Sequence, residues 1–115
     1  MRYQGGCHCG KIRFDVEMEI SEVMACNCSI CSKKAHLLAF APDSNFTLLS
    51  GDEVLKSYRF GKKNIHHSFC SECGIGTFGT GTGKDGVKMR AINVRCLDDI
   101  DVSKFPVTHV DGKSF

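Results

Sequence analysis

The sequence predicts a mainly β protein, and three observations carry that prediction. Apolar residues recur with a period of two in short segments, clusters of turn formers separate those segments, and no stretch sustains a helical period. In Lys11-Ile12-Arg13-Phe14-Asp15-Val16-Glu17-Met18, apolar and charged residues alternate as in a half-buried strand. Val23-Met24-Ala25 reads as a short apolar strand, and Ser32-Lys33-Lys34-Ala35 as a single helical turn. Residues 36–41, Phe46-Thr47-Leu48-Leu49 and residues 54–60 read as strands, divided by Pro42-Asp43-Ser44-Asn45 and Ser50-Gly51-Asp52-Glu53. A strand over residues 65–69 enters a cysteine pair, residues 74–78 leave it, and residues 87–96 follow a glycine-rich turn as one more strand. Residues 98–106 are turn-like. No repeat or low-complexity linker interrupts the chain, so residues 1–115 are expected to form one domain.

Size and charge narrow the possibilities. A chain of 115 residues buries on folding only about two-thirds of the surface it exposes when unfolded, which makes a covalent or metal staple useful. Fifteen Lys and Arg against thirteen Asp and Glu leave a formal charge of +2, too small for a surface built to hold nucleic acid. The longest wholly apolar run is Leu37-Leu38-Ala39-Phe40-Ala41, and Met1-Arg2-Tyr3-Gln4-Gly5-Gly6 lacks the apolar core of a signal peptide. No membrane partner is expected, and the cytoplasm is the expected location.

In a reducing compartment, dense cysteines point to metal binding or redox chemistry rather than to stable disulfides. Seven of the eight cysteines are clustered, as Cys7-His8-Cys9, Cys26-Asn27-Cys28-Ser29-Ile30-Cys31 and Cys70-Ser71-Glu72-Cys73, and Cys96 stands apart. Disulfide scaffolds spread cysteines to close long loops, whereas spacings of one or two residues aim several sulfurs at one ion. The two pairs supply the four thiolates of a closed tetrahedral zinc site, clipping the first strand to the middle of the chain. Gly10 and Gly74 beside them allow loops to curl around the ion. The triplet Cys26, Cys28 and Cys31 has no fourth cysteine nearby, so its zinc is expected to keep an open position, the mark of a catalytic site. Two zinc ions per chain follow.

Other residues have plainer readings. His8 alternates away from its flanking cysteines. His36 reads as a surface or packing residue, His66 and His67 as neighbours of the knuckle with one ring buried beside Phe69, and Cys96 as a buried hydrophobe on a strand. His109 has no placement. A redox dithiol at Cys70 and Cys73 stands as the alternative to zinc. Gly74-Ile75-Gly76-Thr77-Phe78-Gly79 matches the literal Gly-x-Gly-x-x-Gly pattern but follows a cysteine knuckle and opens no helix, so a hairpin is expected instead of a dinucleotide site.

Gly6-Cys7-His8-Cys9-Gly10, the Cys26 to Cys31 triplet, and His67-Ser68-Phe69-Cys70-Ser71-Glu72-Cys73-Gly74 resemble, in order and spacing, the signature of the glutathione-dependent formaldehyde-activating enzymes, a group that also includes centromere protein V. The resemblance spans Gly6 to about Leu97. It implies a β-tent fold of packed antiparallel sheets with zinc-binding loops. It assigns Cys7, Cys9, Cys70 and Cys73 to a structural zinc and Cys26, Cys28 and Cys31 to a catalytic one. The namesake enzyme is longer than this chain.

A divalent ion on three thiolates carries a net negative charge, so it is a poor electrophile but a good holder of another thiolate. The expected function is that of a carbon–sulfur lyase acting on an adduct of formaldehyde or another aldehyde with glutathione or a similar small thiol. Lys33, Lys34, Arg59, Lys62, Lys63 and His66 are the candidates for charge balance or for binding substrate carboxylates. A non-catalytic, zinc-stapled binding module is the alternative.

Overall fold

The alternation in residues 11–18 has a direct physical outcome. In the computed structural model, Ile12, Phe14 and Val16 are fully buried and Met18 nearly so, along one face of strand β2 (Arg13–Glu17). The structure describes residues 1–60, 65–83 and 85–112. Strand β1 (Arg2–Gly6) pairs antiparallel with β2, and β2 pairs antiparallel with β5 (Phe46–Ser50), forming a three-stranded sheet. Sequence patterning did not mark β1, whose Gly5 and Gly6 carry no side chain to alternate. Those glycines are required by close approach. A Cβ on Gly5 would stand 2.5 Å from the Cys96 carbonyl oxygen, and one on Gly6 only 2.1 Å from that of Ile12.

The larger sheet contains β3 (Val23–Cys26), β4 (Leu38–Pro42), β6 (Leu55–Tyr58), β7 (His66–Cys70), β8 (Gly76–Thr82), β9 (Lys88–Asn93) and β10 (Val107–Val110). Its spatial order is β10-β3-β4-β9-β8-β7-β6. A four-residue helix, α1 (Cys31–Lys34), lies between β3 and β4. The predicted strands and helical turn therefore form with modest boundary shifts. Short 3₁₀ turns occupy Asp43–Asn45, Asp52–Val54, Val94–Cys96 and Val102–Lys104.

Three expectations are corrected. Strand β10, within which His109 lies, runs parallel to β3, so the larger sheet is not wholly antiparallel. Cys96 lies in a 3₁₀ turn after β9 rather than on a strand, and it is half-buried. Residues 36 and 37 precede β4 instead of opening it. The glycine-rich stretch makes the expected hairpin: β8 pairs antiparallel with β9, and its turn closes through Gly83 N–H to the Val87 carbonyl at 2.9 Å.

The core lies between the sheets. Phe14 and Val16 from the small sheet meet Val23, Ala39, Ala41, Phe78 and Ile92 from the large one. Phe14, Phe46 and Phe78 form an aromatic triangle with centroid separations of 5.4, 5.8 and 4.7 Å. The Arg90 guanidinium covers it, 4.3 Å from the Phe46 centroid, and its Nε donates to Asp43 at 2.7 Å. Among the described residues no helix is long and apolar enough to cross a membrane. Phe14→Ala is expected to cost about 3–5 kcal/mol by denaturant unfolding, whereas Leu49→Ala, at a side chain that is 52% exposed, should stay within about 0.5 kcal/mol. Equal losses from the two would remove Phe14 from the core.

Candidate metal centres and the adjoining cavity

Two hairpin loops of similar construction approach one another across the molecule. In the first, after β1, Cys7 N–H donates to the Ile12 carbonyl and Ile12 N–H donates to Cys7 Sγ at 3.3 Å; Gly10 turns the chain at φ +83°. In the second, after β7, Gly74 N–H donates to the Cys70 carbonyl at 2.8 Å and Glu72 N–H to Cys70 Sγ at 3.4 Å; Gly74 turns at φ +80°. Both glycines occupy the left-handed region that other residues rarely adopt. An exposed Lys11–Glu72 ion pair at 2.8 Å links the loops.

This construction brings the sulfurs of Cys7, Cys9, Cys70 and Cys73 within 4.8 Å of one another. Cys7 to Cys9 measures 3.5 Å and Cys9 to Cys70 measures 3.6 Å. A disulfide needs about 2.05 Å, whereas thiolates held about 2.3 Å from one tetrahedral ion stand about 3.8 Å apart. The donor set and its spacing fit zinc. Backbone hydrogen bonds at Cys9 and Ile75 bring the Cys73 thiol down to about 6. At Cys9 the backbone hydrogen bond at Lys11 is outweighed by burial and by the other three sulfurs, which push that thiol up to about 11. Four thiolates do not ionise together without a cation, so metal uptake there releases protons.

The second group is local. The sulfurs of Cys26, Cys28 and Cys31 also lie within 4.8 Å of one another, and among the described residues no histidine or carboxylate joins that group. Cys26 ends β3 and Cys31 opens α1, with Ser32 N–H donating to the Cys28 carbonyl at 2.9 Å. The spacing of three within α1 puts Lys34 on the same side as Cys31. Ala35 then reverses the chain at φ +56° and brings His36 Nε2 to 3.2 Å from Cys31 Sγ. Burial first, then the charges of Lys34 and His67, pulls His36 down to about 4 and keeps its ring neutral. Burial raises the Cys31 thiol; at Cys28 burial is outweighed by the Cys31 amide and sulfur, and that thiol is lowered.

The three thiols stand on the wall of a cavity of about 310 Å³. Lys34, His36, His67 and Asn93 also line it, together with apolar side chains of β3, β4, β8 and β10. The His67 ring is stacked on Phe60 at 5.6 Å. Gly112 closes over the triplet, where a Cβ would come within 2.4 Å of Cys26 Sγ.

Of the six residues proposed from sequence for charge balance, Lys34 lines the cavity. Arg59 and His66 instead face each other at 3.3 Å, away from it; Lys33 is exposed and does not line it; and Lys62 and Lys63 lie outside the described residues. His36 and His67, read from sequence as packing or flanking residues, line the cavity instead. A histidine placed just beyond a cysteine triplet and one helical turn was the available signal for His36. No local signal announces Val110 and Gly112, which reach the triplet through the parallel pairing of β10 with β3.

A mainly β fold with a four-thiol cluster joining two loops, and a three-thiol cluster beside a cavity, defines a cysteine-rich protein with two groups that could hold metal ions. A family model described as glutathione-dependent formaldehyde-activating enzyme matches residues 2–110, and the chain belongs to that family. A crystal structure of a Rhodobacter sphaeroides protein is similar to it, with a TM-score of 0.79 and 29% sequence identity over 91% of this chain and 99% of that one.

The two groups differ in what they join, and substitution should separate them. Cys73→Ser, in the group that connects residues 61 positions apart, is expected to cause gross destabilisation or aggregation, since metal contributions to small domains reach about 10 kcal/mol. Cys28→Ser should lose one zinc by elemental analysis while retaining the β circular-dichroism signal. Equivalent unfolding of both variants would contradict this division.

Proposed function

We propose that the chain is one domain holding two zinc ions, a structural one on Cys7, Cys9, Cys70 and Cys73 and a catalytic one on Cys26, Cys28 and Cys31. We further infer that it catalyses carbon–sulfur bond formation and cleavage between a small thiol, glutathione being the family's, and formaldehyde or another aldehyde. The observation that carries this reading is a group of three sulfurs, with no fourth donor within 4.8 Å of all three among the described residues, on the wall of a cavity large enough for a small molecule. Membership of a family of glutathione-dependent formaldehyde-activating enzymes supports the same chemistry.

Zinc on three thiolates would stabilise a substrate thiol as its thiolate. The reaction itself balances simply. The substrate sulfur forms a bond to the carbonyl carbon, the carbonyl π pair passes to oxygen, and the proton lost by the thiol ends on that oxygen; cleavage is the reverse. The protein's own groups set the conditions. The apolar wall excludes water, Lys34 opposes the negative charge collected at the sulfurs, and neutral His36 fixes Cys31 through its hydrogen bond without adding charge.

The zinc-loaded protein is expected to accelerate adduct formation or cleavage above the spontaneous rate, followed by NMR across a panel of small thiols, glutathione included, with formaldehyde and larger aldehydes. Cys28→Ser should remove the acceleration. No zinc-dependent rate with any pair would refute the assignment.

A further inference from the structure

Not every glycine in the chain answers to the backbone. Gly10 and Gly74 take left-handed turns, and a Cβ on Gly5 or Gly6 would collide with a carbonyl oxygen. Gly79, inside strand β8, does neither. Its φ lies outside the left-handed region, and the described atoms nearest to an added Cβ are the His66 carbonyl oxygen at 3.4 Å, Ala91 Cβ at 3.8 Å and Ile65 Cγ2 at 3.9 Å, all ordinary contacts. Glycine inside a strand weakens it, and where the fold does not require one it often marks the close approach of a ligand. Gly76 in the same strand gives the contrast: Lys34 Nζ occupies the place of its side chain, 2.5 Å from an added Cβ.

The space above Gly79 belongs to the cavity beside the triplet. Two rows of side chains cross the large sheet on the cavity face. In the first, Leu38 pairs with Asn93; in the second, Phe40 pairs with Ala91, Ala91 with Gly79 and Gly79 with His67, and all six line the cavity. The first row is the nearer to the thiols, because Leu38 pairs with Met24 and Cys26 lies two residues beyond Met24, on the side away from Phe40. A rise of about 3.4 Å per residue makes each two-residue step about 7 Å, so the second row stands about 14 Å along the strands from the level of Cys26. Its middle is low: the two smallest side chains, Ala91 and Gly79, lie between Phe40 and His67. Phe40, 47% exposed, places this row at the cavity mouth.

We infer that Ala91 and Gly79 are specificity-determining residues, the floor over which the body of a peptide-sized thiol lies while its sulfur is at the triplet. The inference rests on the thiol-centre reading above and names the size of thiol that the site admits. Length supports the match. The γ-glutamyl arm of glutathione spans about two extended residues, ~7 Å, beyond its cysteine, whereas a two-carbon thiol ends short of the second row. A larger side chain at either position would fill the floor some two rows away from the sulfurs.

Calorimetric titration of the zinc-loaded full chain tests this without reliance on turnover. Gly79→Val is expected to weaken glutathione at least tenfold and to leave 2-mercaptoethanol within twofold, with zinc content and the β circular-dichroism signal unchanged. Ala91→Val should do the same, and it carries the comparison if Gly79→Val does not fold. In amide NMR spectra of the unsubstituted protein, glutathione should shift the signals of Gly79 and Ala91, and 2-mercaptoethanol should leave them in place. Absence of those shifts, glutathione affinity within twofold of the original in the folded variants, or equal weakening of both thiols would each overturn the inference and leave the thiol–aldehyde reading standing. S-Methylglutathione, whose sulfur has no proton to lose, binding as tightly as glutathione would overturn the thiol-centre reading and the inference together.

Discussion

The convergence of four sulfurs from the loop after β1 and the loop after β7 is the constraint on which the rest of the structure depends. The first loop belongs to the three-stranded sheet and the second lies near the far edge of the seven-stranded one. A metal ion held there would fix the relative position of two sheets whose shared core is small. Phe14, Phe46 and Phe78 can interlock in that core only if the sheets hold one spacing and angle. The two loops are shaped alike: a backbone amide donates to a sulfur in each and a glycine takes the left-handed turn in each.

The second thiol group depends on that frame but does not build it. Its three sulfurs come from one short segment, the end of β3, the loop after it and the start of α1, and their neighbours come from elsewhere: His67 from β7, Asn93 from β9, Val110 from β10. Fixing the large sheet therefore fixes the cavity, and the cavity fixes what can reach the sulfurs. Among the described residues that line it, the wall is largely apolar, with Lys34 beside the triplet.

The thiols and the apolar wall of the cavity are supplied by different residues. Met24, Leu38, Phe40 and Ile65 lie on strands or strand ends that any β protein would fill with apolar residues. What distinguishes them is that they turn toward the triplet instead of toward the main core.

Much of this was legible in the sequence because its signals are local. Alternation from Ile12 to Met18 determines β2 and its buried face; cysteine spacings of one and two determine which loops curl; Gly10 and Gly74 mark where they turn. The gathering of Cys7 and Cys9 with Cys70 and Cys73 also followed from counting donors, because a closed tetrahedral site needs four. Tertiary structure alone decided the rest. Strand β1 carries glycines where alternation would have shown, and β10 pairs in parallel with a strand more than eighty residues earlier, which no local pattern encodes. The choice of Lys34 over Arg59 and His66, and the placement of His36 and His67 at the cavity, depend on which faces the sheet turns inward, and pairing partners distant in sequence set those faces.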